Sequence, residues 1–181
     1  MKITAGPLPG LLIIEPHVFV DNRGHFYETF QRKRYEECGI PTFVQDNVSH
    51  SKQNVLRGLH YQLPHSQGKL VYVTRGSVWD VAVDIRVHSN TFGQWYGIQL
   101  SQDNHVQVYI PPGFAHGFCV TSDEADFHYK CTDYYLPEAE HGISWNDARL
   151  NISWPVQHPI LSAKDEMYPS LHEIAHEKLF T

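Results

Sequence analysis

"VWDVAVDIR", residues 78–86, alternates with a period of two: Trp79, Val81, Val83 and Ile85 fall on one side of an extended chain, Asp80, Ala82 and Asp84 on the other. One side is wholly apolar and the other carries two carboxylates, which must face solvent or a cavity because an unpartnered buried charge is too costly. A small antiparallel barrel can hold a ligand in its interior, where an inward polar face is useful. The rest of the chain repeats the pattern in short β-type runs, among them "GLLIIEPHVFV", "KLVYVTR", "GQWYGIQL", "HVQVYI" and "HGFCVTS", with Gly, Pro, Asn, Asp and Ser between them. This spacing is that of an all-β sandwich or barrel.

Two stretches read as helical: a short one at "RKRYEECG", ended by Gly39 with Pro41 beyond, and a C-terminal one from Ser170, where Ser170 and Glu173 fit a capping box and Leu171, Ile174 and Lys178 share a helix face. With 181 residues the chain can fill one core but hardly two. The expectation is a single domain over residues 1–181, a β core over roughly 10–160 and a helical segment over about 162–180.

A net charge of -6 excludes a broad nucleic-acid surface, which needs clustered Lys and Arg, but leaves room for one small anionic ligand. Cys38, Cys119 and Cys131 are odd in number and far apart, with no C-x-x-C pair, which fits a reducing compartment. The apolar run Leu11 to Ile14 is too short for a signal-peptide core or a membrane span, so a cytoplasmic protein without membrane contact is expected.

Within "NVLRGLHYQ", residues 54–62, Arg57 and His60 are three apart and so would point to opposite faces of a regular strand. A bulge at Gly58 would return them to one face. The competing reading sends Arg57 to solvent and leaves His60 as a hydrogen-bonded core histidine. "IPPGFAHGF", residues 110–118, is a tight turn that delivers His116 onto the next strand together with Phe118. Metal-binding cupins place H-x-H at the counterpart of His60-Tyr61-Gln62, and here the second histidine is missing, so no metal site is expected. In "FHYKCTDYY", residues 127–135, Tyr129 and Tyr135 share a face with Phe127, Cys131 and Asp133; they are either core aromatics or phenols aimed into a pocket. Asp165 in "LSAKDEMY" either caps a helix with Ser162 or orients a histidine.

"RGHFYETF", "FVQDN", "NVLRGLHYQ", "QGKLV", "VWDVAVDIR", "TFGQW", "IPPGFAHGF", "YKCTDYY", "ISWNDARLNISWP" and "LSAKD" occur here in the order found in the dTDP-4-dehydrorhamnose 3,5-epimerase family. The resemblance runs over roughly residues 7 to 168, nearly the whole chain. It implies a jelly-roll (double-stranded β-helix, cupin-like) fold and a homodimer with neither metal nor redox cofactor. The implied activity is that of an isomerase in dTDP-L-rhamnose and polysaccharide synthesis, acting on a dTDP-linked 4-keto-6-deoxy sugar. By the same resemblance His60 is the catalytic base, Asp165 its orienting partner and Tyr129 the acid on the other face of the sugar, with Lys69 near the C4 oxygen. Arg23, Phe26, Glu28, Gln45, Asn47, Arg57, His116, Tyr135, Glu140 and Lys164 are the implied contacts to nucleotide, diphosphate or sugar.

The chemistry asks for such groups. Protons at C3 and C5 of a 4-keto sugar both adjoin the carbonyl, so removing either gives an enolate whose charge collects on the C4 oxygen, where a lysine stabilises it. An imidazole accepts a proton near neutrality, and a phenol on the opposite face can return one with inversion. Arginine forks suit the diphosphate. His25 and His128 stand where apolar residues are expected in the family, and Tyr109 where tryptophan is common, changes that are either neutral or tune the pocket for another 4-keto sugar. The competing functions are a single-centre epimerase, a 3,4-ketoisomerase, a metal-binding cupin and a non-catalytic sugar-binding module.

Overall fold

The computed structural model describes residues Met1–Thr181 and turns the alternating runs into thirteen strands. Six form one antiparallel sheet in the order β1 (Lys2–Ala5), β2 (Leu12–Glu15), β10 (Gln107–Ile110), β7 (Lys69–Arg75), β12 (Glu124–Cys131) and β5 (Gln45–Lys52). Five form a second in the order β13 (Glu140–Gly142), β6 (Leu56–Gln62), β11 (Phe114–Val120), β8 (Ser77–Asp84) and β9 (Trp95–Ser101). The hairpin of β3 (Val18–Asp21) and β4 (Gly24–Tyr27) stands apart. Neighbours that are distant in sequence, in two sheets face to face, make this a cupin-like jelly roll. No helix is long and apolar enough to cross a membrane.

The main core lies between the sheets, where Val71, Val73, Val108 and Phe127 of the first meet Val78, Ala82, Phe118 and Val120 of the second. A second cluster covers the outer face of the five-stranded sheet: Leu59, Val81, Val83, Ile85 and Ala115 lie under Ile143, Leu150, Leu171, Ile174 and Leu179. The apolar side of 78–86 therefore packs outward, beneath the C-terminal chain, and the carboxylate side faces the space between the sheets. Both sides are buried, and each fully covered Val or Ile contributes about 1.5–3 kcal/mol. On the outer face of the six-stranded sheet, Tyr35 of α1 (Arg32–Glu36) and Ile40 pack on Ile14, Leu70 and Tyr109. That helix starts where the Gln31 side chain accepts the Arg34 N–H at 2.8 Å and is followed by Gly39 at a φ of 80°.

The C-terminal segment differs from the single helix its pattern suggests. It forms one-turn 3-10 helices at Asp165–Met167, Leu171–Glu173 and His176–Lys178. The capping contact is present, with the Ser170 N–H donating to Glu173 Oε2 at 2.8 Å, yet Ile174 is extended and ends the turn. Tertiary anchors override the local preference: Leu171, Ile174 and Leu179 are buried in the outer cluster, and the Val87 N–H donates to the Phe180 carbonyl at 2.7 Å. A segment stretched between those points cannot shorten to the 1.5 Å per residue of a helix.

Of the two carboxylates in 78–86, Asp84 is a structural clasp. Burial alone would raise its pKa, but the Arg86 guanidinium and N–H, Ser89 and Thr91 all donate to it and hold it at about 2. A depressed carboxylate adds stability above its unfolded pKa near 4 and loses it as pH falls towards the folded value. Melting temperature should therefore drop between about pH 4 and 2. In Asp84→Asn it should be lower at neutral pH and less steep across that window; an equal slope in both proteins would refute the assignment.

Candidate active site

The cavity sits between the two sheets and owes its chemistry to an irregularity in β6. Pairing of β6 with β11 sets His60 opposite His116 and Arg57 opposite Phe118, so three steps on β6 match two on β11. Because His116 and Phe118 are two apart and share a face, Arg57 and His60 must share one too. The extra residue is accommodated at Gly58, whose φ is 124° and whose missing Cβ would lie 2.5 Å from the Gly117 Cα. The bulge that would put them on one face is present, and Arg57, although exposed, lines the cavity together with His60.

His60 Nε2 lies 2.5 Å from Asp165 Oδ1, which is nearly fully buried. Burial pushes the Asp165 carboxyl up, but the bond and charge of His60 and the nearby Lys164 outweigh it and hold the group below the ordinary aspartate range. Ser162 Oγ accepts the Asp165 backbone N–H at 3.1 Å, and the same hydroxyl helps His60 to lower the carboxyl pKa. A neutral imidazole that donates from Nε2 to a carboxylate carries its free lone pair on Nδ1, and Nδ1 makes no hydrogen bond within the protein.

The opposite wall comes from the six-stranded sheet. Tyr129 on β12 pairs with Val71 and Asn47, and burial raises its phenol above the usual range, keeping it protonated at neutral pH. Lys69 on β7 pairs with Cys131 and has neither hydrogen bond nor ion pair in the protein. Burial lowers its pKa, against which Cys131, Glu140 and Asp80 favour the cation. His116 Nε2 is 2.8 Å from Asp80 Oδ2, and both side chains are buried.

The cavity has a volume of about 550 Å³, within the range that holds a small-molecule ligand. At one end Glu140 accepts from Tyr135 Oη and Lys164 Nζ, each at 2.7 Å, and the bond to Glu140, with burial and other negative neighbours, pushes the Tyr135 phenol up to about 12. The Tyr135 N–H donates to Gln45 Oε1, and Gln45 Nε2 in turn to Asn47 Oδ1. Arg57 is steered by one bond, Nε to Ser51 Oγ at 3.1 Å, which leaves its two terminal nitrogens for a ligand. No group of three or more His, Cys, Asp or Glu side chains is clustered as a metal site.

Eleven of the residues singled out from the sequence thus line one cavity: His60, Tyr129, Asp165, Lys69, Gln45, Asn47, Arg57, His116, Tyr135, Glu140 and Lys164. Arg23, Phe26 and Glu28 are not among them. Arg23 forms a bidentate pair with Asp21 at the hairpin tip, Phe26 is exposed on β4, and Glu28 pairs with Arg34 at 2.9 Å. The departures His25, His128 and Tyr109 also lie off the cavity: His25 packs on Tyr27 and His105, His128 stacks on Tyr72, and Tyr109 is in the outer cluster. None of the three belongs to the lining of their own chain's cavity. Sequence reasoning gave Ser49, Ser51, Gln67 and Cys131 no role, and left Asp80 on a face turned either to solvent or to a cavity; small polar residues alternating along "NVSHSK" are the signal that could have found the serines.

Comparison with known proteins identifies a family, although this chain's relatives include a single-centre enzyme, the Streptomyces niveus dTDP-4-dehydrorhamnose 3-epimerase, 38% identical over 169 residues. Residues 5–173 match the family described as dTDP-4-dehydrorhamnose 3,5-epimerase. The chain is 55% identical over 168 residues to the Shigella flexneri protein of that name, covering 91% of this chain and 93% of that one. It is 52% identical over 183 residues to the Escherichia coli K12 protein of that name, covering 99% of both. The crystal structure of a Legionella pneumophila dTDP-6-deoxy-D-glucose-3,5-epimerase in complex with dTDP-4-keto-L-rhamnose is similar, with a TM-score of 0.96, 54% identity and coverage of 99% and 97% of the two chains.

Proposed function

The chain belongs to the dTDP-4-dehydrorhamnose 3,5-epimerase family, and on that basis we propose that it inverts C3 and C5 of dTDP-4-dehydro-6-deoxy-D-glucose to give dTDP-4-dehydro-L-rhamnose. The observation that carries the reading is the pairing across one cavity of a carboxylate-bound histidine, His60, with a protonated phenol, Tyr129, beside an unpaired lysine, Lys69.

In this mechanism His60 takes the proton from C3 or C5 through its free ring nitrogen, and Asp165 fixes the tautomer and stabilises the imidazolium that forms. Charge moves to the C4 oxygen, where Lys69 stabilises it. Tyr129 returns a proton from the opposite face, which inverts the centre. The same pair serves the second carbon after the ring shifts, because both carbons flank one carbonyl. Arg57 holds the diphosphate, with Gln45, Asn47, His116, Tyr135, Glu140 and Lys164 positioning the rest of the ligand. Losing the Lys69 cation, as in Lys69→Met, should lower kcat by about 10²–10³ with a smaller change in KM. An unchanged kcat would remove Lys69 from the enolate site.

Arg23, Phe26 and Glu28 belong to this reading only through assembly. They lie off the cavity in their own chain, on or beside a hairpin that exposes Phe19, Val20 and Phe26, a surface suited to a second copy. A homodimer would cover it and bring these side chains to a neighbouring cavity mouth. Sedimentation of wild type and Phe26→Asp tests this: a dimer lost in the variant supports it, and a monomeric wild type overturns it.

The deciding experiment is proton exchange: the 4-keto substrate is incubated with the protein in D2O and C3 and C5 are followed by NMR. Deuterium at both carbons supports the double epimerase. Deuterium at one restricts the reading to a single centre, and none at either overturns it.

A further inference from the structure

We infer that Tyr168 is a positioning residue for His60, and that position 142 is a glycine in order to admit it. The inference rests on His60 being the base. Gly142 on β13 pairs directly with His60 on β6. Residues opposite each other in a ladder share a face, so a side chain at 142 would lie beside the imidazole. Gly142 has none, and Tyr168 of the C-terminal segment occupies the space: a Cβ at 142 would fall among its ring carbons. The Tyr168 ring meets the His60 ring edge to face, with centroids 5.7 Å apart at 69°.

One short segment therefore grips the imidazole twice. Asp165 holds Nε2, and Tyr168, three residues on, packs against the ring. The carboxylate bond fixes one atom but permits rotation about that contact; the aromatic wall sets the plane, and with it the direction of the free Nδ1 lone pair. A base misaimed by a fraction of its reach loses much of its rate, since proton transfer depends on geometry before acidity. The Tyr168 hydroxyl is buried without a hydrogen-bond partner in the protein, so the ring and not the hydroxyl is what the packing uses. Burial, together with Glu140, Asp165 and Tyr135 around it, raises the phenol pKa, so this ring is neutral wherever the protein is folded and active.

The test compares Tyr168→Phe, Tyr168→Leu and Gly142→Ala by kcat, KM, deuterium exchange and the ¹⁵N chemical shifts of His60 in the free protein, which report its tautomer. Tyr168→Phe, which keeps the ring, should stay within about twofold of wild type with the same ¹⁵N pattern. Tyr168→Leu should lower kcat by about 10–100-fold with KM within about threefold, and its His60 shifts should move towards a tautomer average. Gly142→Ala, which pushes the ring out without removing it, should move both readouts the same way and stands in if the leucine variant fails to fold. Wild-type kcat and ¹⁵N pattern in the leucine or alanine variant would overturn the inference. So would Tyr168→Phe losing as much as Tyr168→Leu, which would assign the role to the hydroxyl. A wild type that washes no deuterium into C3 or C5 would instead refute His60 as the base, while its ¹⁵N pattern still reports whether Tyr168 sets the ring.

Discussion

Replacing His60 by alanine should lower kcat by about 10³–10⁴-fold and abolish deuterium exchange at both C3 and C5, with KM changed far less. Two cavity histidines each have one ring nitrogen on a carboxylate and the other free, His60 with Asp165 and His116 with Asp80; His60 is the more open to a ligand, its side chain 26% exposed against 8% for His116. Asp165→Asn separates the two halves of the dyad. The amide preserves shape but can donate to Nε2, which favours the tautomer with its proton on Nδ1 and blocks the base. A loss of about 10²–10³-fold is expected for it. Exchange at both carbons that survives His60→Ala would require another base and end the proposed mechanism.

Gly58→Ala should be the most destabilising of the small substitutions. A methyl there would meet the Gly117 Cα at 2.5 Å and the His116 carbonyl at 2.8 Å, both rigid backbone, at a φ of 124° that L residues avoid. Strain of about 1–3 kcal/mol and overpacking of similar size predict a total loss of about 2–6 kcal/mol, or a fall in Tm of roughly 4–24 °C for a chain this long. Gly24→Ala is the control: its φ is 133°, but nothing lies within 4 Å of the added methyl, so only the strain should appear. Because the bulge alone puts Arg57 and His60 on one face, kcat/KM of folded Gly58→Ala should fall with stability. Equal Tm losses in the two variants would mean that contact with β11 contributes nothing.

These two effects mark how far the sequence could be read. The bulge was legible because a three-residue separation conflicts with a period of two, and glycine between Arg57 and His60 is the residue that resolves such a conflict. Much of the cavity lining was legible only through the resemblance of the motif string to a known family, which implied Gln45, Asn47, Lys69, Glu140 and Lys164 where their own strands carry no distinguishing pattern. Which side of 78–86 faces inward was not, because alternation defines two faces without saying what covers them. The C-terminal helix was misread for a related reason: a capping pair states what ten residues prefer alone, and the pull of Leu171, Ile174, Leu179 and Phe180 on separate points of the sheet acts on the segment as a whole.

By itself, then, the amino-acid order determined the all-β class and the bulge, because these depend on periodicity and residue type over a few positions. The family resemblance implied that Asp165, 105 residues beyond His60, closes on its imidazole, but tertiary structure alone decided that Tyr168 fills the space left by Gly142 and that Arg23, Phe26 and Glu28 stay off their own chain's cavity. Such contacts arise from how two sheets and a C-terminal segment pack together, and packing across long loops leaves no local periodicity to read.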